Sequence, residues 1–162
     1  MKKAQHFSSH LPALIHTLAK TTGDVLELGT GLFSTPFLHY LCVPKKRLLV
    51  SVYNNQKYYE SVLCFEHEYH KIIYTEDWAI PDLVRQWSVV FIDHGPPEQR
   101  RVDLLRFADL ATYIVVHDTN GRQDTHYHFS TAWQDFKYVY TYNKFFPATT
   151  IVSNSMEIGD VD

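Results

Sequence analysis

Apolar and polar positions along the chain change period from segment to segment, and the changes predict alternating helices and strands. Leu11, Leu14, Ile15 and Leu18 recur at helical spacing, so the first segment reads as an amphipathic helix closing near Thr22 and Gly23. Val25-Leu26-Glu27-Leu28 is a short apolar strand running into Gly29-Thr30-Gly31. A helix is expected next, with Thr35 as its N-cap, Pro36 at its first position and Phe37, Leu38 and Leu41 on its buried face. Residues 47–53 predict a second strand, and Asn54 and Asn55 close it and cap a helix carrying Tyr58, Tyr59, Val62, Leu63 and Phe65. A third strand is expected over 71–74 and a short helix over 82–86. The run Ser88-Val89-Val90-Phe91-Ile92-Asp93 is apolar on both faces, as a strand inside a parallel sheet should be. Pro96 and Pro97 open a helix whose inner face is Leu104, Leu105 and Ala108, and residues 112–117 repeat the buried-strand pattern. A helix is expected over 129–136. Residues 137–142 and 149–153 then form two strands joined by a short link, an antiparallel hairpin.

Strands separated by helices and followed by a hairpin make a layered α/β sheet. Ligands of such sheets bind off the carboxyl ends of the strands, where the winding reverses. Those ends carry residues 27–31, 53–55, 75–78, Asp93 with His94, and 117–120, so the polar residues gather where the architecture places a site. The 162 residues are enough for one domain with a single sizeable core. Fifteen basic against 18 acidic residues leave a formal charge of −3, without the basic excess of a dedicated nucleic-acid binder. Twenty-four aromatic residues (10 Phe, 11 Tyr, 3 Trp) exclude intrinsic disorder. Cys42 and Cys64 make no disulfide framework and have no paired metal-ligand spacing, and the first residues lead into no apolar leader core. The expectation is a cytoplasmic protein with no membrane segment. Ten histidines do not form a zinc motif: His67 and His70, or His126 and His128, lack a nearby Cys and the usual spacing.

The turn Gly29-Thr30-Gly31 lies between a strand and a helix, where bare backbone admits a ligand and a helix N-terminus offers free N–H groups. Ser34 stands where a dinucleotide fingerprint has its third glycine, and Glu27 precedes the first glycine by two residues, where a pyrophosphate would be repelled. A carboxylate there suits a cationic ligand. The pattern Val25-Leu26-Glu27-Leu28-Gly29-Thr30-Gly31 resembles the first motif of class I S-adenosylmethionine-dependent methyltransferases, and the order of elements along nearly the whole chain is similar. Ser34 and Thr35 after the loop, and His117-Asp118-Thr119, resemble the small-molecule O-methyltransferase-related branches. The resemblance implies a three-layer α/β/α Rossmann-like domain of five parallel strands plus a C-terminal antiparallel β-hairpin, spanning 1–162. It also implies transfer of a methyl group from S-adenosyl-L-methionine to a hydroxyl or other nucleophile of a small-molecule or glycan-like acceptor.

By that resemblance, Glu27 meets the methionine end of the cofactor, Gly29 and Gly31 pack beneath it, and Thr30, Ser34 and Asp93 are further cofactor-binding residues. The second strand of the family ends in an acid for the ribose; here Tyr53, Asn54 and Asn55 stand instead, with Glu60 a further candidate. Asp77 resembles the acid that meets the adenine amino group, and Trp78 is placed to stack on the ring. Asp93 and Asp118 resemble the carboxylates that bind a divalent metal in catechol-type enzymes, although the following Asn is displaced to Asn120. Magnesium at Asp93 and Asp118 is one expectation. The other is metal-free chemistry, with Asp118 and His117 or His94 taking the acceptor's proton. Arg100, Arg101 and Arg106 share one helix, either for an acidic acceptor or as a solvated face. The short amino-terminal segment leaves an acceptor pocket open or completed by a second subunit, a homo-oligomer. An NAD(P)-dependent oxidoreductase and a non-catalytic nucleotide-binding relative are the competing readings.

Overall fold

The computed structural model describes residues 8–29 and 31–161. Seven strands form one sheet: β1 (Val25–Leu28), β2 (Leu49–Tyr53), β3 (His70–Tyr74), β4 (Trp87–Ile92), β5 (Ala111–His117), β6 (Tyr138–Tyr142) and β7 (Thr149–Ser153). Their spatial order is β3-β2-β1-β4-β5-β7-β6. The first five are parallel, and β7 runs antiparallel to both β5 and β6. This is the expected five-strand parallel sheet with a C-terminal antiparallel pair. The helices are α1 (Leu11–Ala19), α2 (Ser34–Cys42), α3 (Gln56–Val62), α4 (Pro97–Arg106) and the single turn α5 (Asp124–Tyr127). Among the described residues no helix is long and apolar enough to cross a membrane.

Successive strand residues point to opposite faces, so the unbroken apolar runs feed two cores at once. Leu26, Leu28, Val90, Ile92, Ile114 and Val116 pack with Leu104 and Phe107 at the end of α4 and with Trp78, Leu83 and Phe129. Val25, Leu49, Val89, Phe91, Val115 and Ile151 pack against Ala13, Leu14 and Leu18 of α1 and Leu38 and Cys42 of α2. The two polar residues Glu27 and Ser51, paired in register across β1 and β2, interrupt this second face next to the glycine turn.

Three local expectations are corrected. Helix α2 begins at Ser34, with Phe33 as its N-cap, because the Thr35 hydroxyl is committed to Glu27 rather than to the helix end. The helix expected over 82–86 is a single 3₁₀ turn, Pro81–Leu83, and that over 129–136 is two, Phe129–Thr131 and Trp133–Asp135. In both places the apolar residues fill the face of the sheet from short turns without a helical period. The chain winds from β1 outward to β3, returns to β4, and continues the other way. The reversal opens a crevice between the carboxyl ends of β1 and β4.

Candidate functional site

Gly29 follows β1 with φ of +82°, and a Cβ built on it would lie 2.4 Å from backbone atoms of His94. Only glycine lets the turn cross the end of β4 this closely, so substitution at Gly29 disturbs packing before it touches a ligand. Gly31 carries no such demand: its Cβ would meet the Ser34 Oγ at 3.4 Å. Thr30 lies outside the described residues.

Glu27 is fully buried. The Thr35 Oγ1 hydroxyl donates to both of its oxygens at 3.0 Å, and Ser51 Oγ donates to Oε2 at 2.6 Å. Ser51 also pairs at 2.9 Å with His70 Nε2, and His70 Nδ1 lies 3.0 Å from His39 Nδ1. With Ser51 donating to Glu27, His70 Nε2–H donates to Ser51 and its Nδ1 accepts from His39. Burial drives the Glu27 carboxyl up to about 7; the hydroxyls of Ser51, Ser34 and Thr35 pull against it and Asp93 adds to it. The carboxyl is enclosed by hydroxyls, lines neither cavity described below, and exchanges its proton near neutrality.

The charged end of the site is built by β4 and β5. Asp93, just past β4, pairs with Arg100 Nη2 at 3.0 Å and His117 Nδ1 at 3.2 Å. Asp118, just past β5 with φ of +61°, accepts from Arg100 Nη1 at 3.3 Å. Arg100 also donates to the backbone oxygens of His94 and His117, and its guanidinium lies 4.8 Å over the Tyr127 ring. One buried guanidinium from α4 thus fastens two strand ends together. Burial acts to raise the Asp93 carboxyl, but His117 and Arg100 outweigh it and hold the group below the usual carboxylate range. Burial acts to lower His117, but the hydrogen bond and charge of Asp93, with Asp118, leave its imidazole above the ordinary value. Magnesium between Asp93 and Asp118 is not supported, because the Arg100 guanidinium already bridges the two carboxylates.

Other predicted residues separate. His94 turns away: its fully buried imidazole meets Asp103 Oδ2 at 2.9 Å and packs tilted against Trp78, with ring centroids 4.1 Å apart. Neither the proton-accepting role expected of His94 nor the adenine platform expected of Trp78 fits this placement. Asp77 is exposed and accepts from the Ala79 backbone N–H. Tyr53 is buried with its hydroxyl 3.2 Å from Thr35 Oγ1. Asn54 donates to the Gly95 carbonyl at 2.7 Å, while Asn55 caps α3 through the Lys57 and Tyr58 N–H groups. Glu60 pairs with Gln56 on the exposed side of α3. Sequence reasoning missed His10, Tyr58, Gln123 and the role of Arg100. An arginine four residues into a helix following a strand-end Asp-His was the available signal for Arg100; nothing in the sequence singled out His10.

Two cavities meet at this junction. One, of about 350 Å³, is lined by Gly29, Tyr53, Asn54, Asn55, Tyr58, Asp93, His94 and Gly95. The other, of about 430 Å³, runs past Gly31, Leu32, Phe33 and Tyr58 to Asp93, His117, Asp118 and Gln123. Asp93 and Tyr58 line both. Each has the size of a small-molecule site.

No family model and no curated protein matches the sequence. Solved structures do match its fold. The cofactor-bound Rv0187 from MTB aligns with a TM-score of 0.68 at 15% identity, over 96% of this chain and 83% of that one. The SAH-bound Podospora anserina methyltransferase PaMTH1 gives 0.67 at 12%, covering 94% and 80%. The Bacillus cereus O-methyltransferase in complex with SAH gives 0.64 at 13%, covering 93% and 82%. The chain has the Rossmann-like fold of these methyltransferases.

Proposed function

We propose that this chain is an S-adenosylmethionine-dependent methyltransferase acting on a small molecule that bears a hydroxyl. The observation that carries the reading is the pair of adjoining cavities at the sheet's winding reversal, joined at the low-pKa carboxylate of Asp93. The fold shared with SAH-bound and cofactor-bound enzymes supports it. The residues suit the cofactor in kind. Asn54 and Asn55 offer amides at the rim of the cavity beside Gly29, and Asp93 offers a stable negative charge at its inner end. When bound, S-adenosylmethionine supplies an activated methyl group on a positively charged sulfur.

Methyl transfer is an in-line displacement, so the chain contributes most by aligning the acceptor and excluding water. Asp118 and His117 line the larger cavity and are the groups we assign to the acceptor hydroxyl and its proton. Leu32, Phe33 and Tyr58 are 68%, 48% and 48% exposed at its margin, a surface suited to an acceptor with an apolar or aromatic body. A net charge of −3 supports a small molecule over a nucleic acid. Calorimetric titration with SAH, S-adenosylmethionine and NAD tests the reading. One SAH per chain, with no heat from NAD, is expected; NAD binding, or no binding of either sulfur nucleoside, would overturn it.

A further inference from the structure

His10 precedes α1 and is 2% exposed, yet neither of its ring nitrogens has a hydrogen-bond partner. Leaving a buried polar group unpaired costs roughly 1–3 kcal/mol, so such a group signals an absent partner. The ring lies 4.9 Å from that of His117, almost perpendicular to it, and both side chains line the larger cavity. One nitrogen of His10, one of His117 and a carboxylate oxygen of Asp93 all lie within 4.8 Å of one another. Arg100 occupies Asp93 Oδ1, so the donors are Oδ2 and His117 Nδ1, which share a proton that a cation would displace, while Ser9 Oγ holds His117 Nε2 at 3.0 Å.

We infer that His10, Asp93 and His117 form a divalent transition-metal site at the acceptor end of the cavity. Two imidazoles and one carboxylate favour zinc, iron(II), cobalt(II) or manganese(II) over magnesium, which takes an all-oxygen shell. Ligands about 2.1 Å from a common centre stand roughly 3.0–3.4 Å apart. The Asp93–His117 contact of 3.2 Å already has that spacing, and a rotation of the His10 ring brings in the third ligand. The remaining coordination positions face the cavity, where a substrate oxygen has access. This inference goes beyond the methyltransferase reading: it shares Asp93 and His117 with that reading and adds His10, which the reading does not use.

Titration of metal-stripped protein with cobalt(II) chloride, followed by visible absorption, tests it. We expect a saturable band at one equivalent. In His10→Phe, whose ring fits beside Phe91 and leaves no polar atom unpaired, cobalt affinity should fall by at least about 100-fold, since disrupting outer partners alone costs roughly 10–100-fold. SAH binding and far-UV circular dichroism should be retained. If His10→Phe fails to fold, His10→Leu is read in the same way. Absence of a stoichiometric band would overturn the inference. So would a band that survives the folded variant, or one lost instead when His39 and His67, which face each other outside this cavity, are changed to Ala. SAH binding is read separately, so loss of the metal site and loss of the methyltransferase reading are distinguishable.

Discussion

Two acids at neighbouring strands of one sheet, Glu27 fully buried and Asp93 half-buried, respond to desolvation in opposite ways. Glu27 on β1 is surrounded by the neutral hydroxyls of Thr35 and Ser51, and its carboxyl rises to about 7. Asp93, past the end of β4, faces a guanidinium and an imidazole, and its carboxyl falls below the usual range. Burial works against the charged form at both places; only a full opposite charge within hydrogen-bond distance outweighs it. Desolvation therefore does not decide which acid stays charged. The partner does: a full opposite charge keeps Asp93 ionised, while Glu27, among neutral hydroxyls, rises to about 7.

The sharpest way to break the contrast is to remove the cation. Arg100→Ala leaves Asp93 and Asp118 facing each other and frees two backbone carbonyls, and a loss of about 3–5 kcal/mol in urea unfolding is expected. A loss below about 1 kcal/mol would mean that Arg100 does not hold the two strand ends.

Glu27→Gln probes the other side. The folded carboxyl binds its proton more tightly than the unfolded one, so its contribution to stability is complete below pH 4.5 and is lost as pH rises through about 7. The amide removes that loss. Relative to wild type, Glu27→Gln should gain as much as about 3 kcal/mol above pH 8 and nothing near pH 4, measured by denaturation across the range. A flat difference between the two proteins would contradict the assignment.

The β-strand periodicity, the proline and glycine punctuation and the buried runs of residues 88–93 and 112–117 made the sheet legible without coordinates, because those signals are local. The position of the site followed from the same reading, since topology alone puts ligands at the carboxyl ends. What the sequence hid were contacts between distant segments. Thr35 looked like a helix cap, and no local signal told that Glu27, eight residues earlier, would claim its hydroxyl. Arg100 looked like one of three surface arginines until β4 and β5 brought two carboxylates to it. Trp78 and His94, sixteen residues apart, meet as a tilted ring pair only once the chain has folded. His10, more than a hundred residues from His117, enters only when α1 packs across β4 and β5.

Side-chain carboxyl ¹³C NMR across a pH titration of the ligand-free protein tests the central contrast most directly. Glu27 should change protonation near pH 7, and Asp93 should stay ionised to below the usual aspartate range. A Glu27 already ionised at pH 5, or an Asp93 still protonated there, would contradict it.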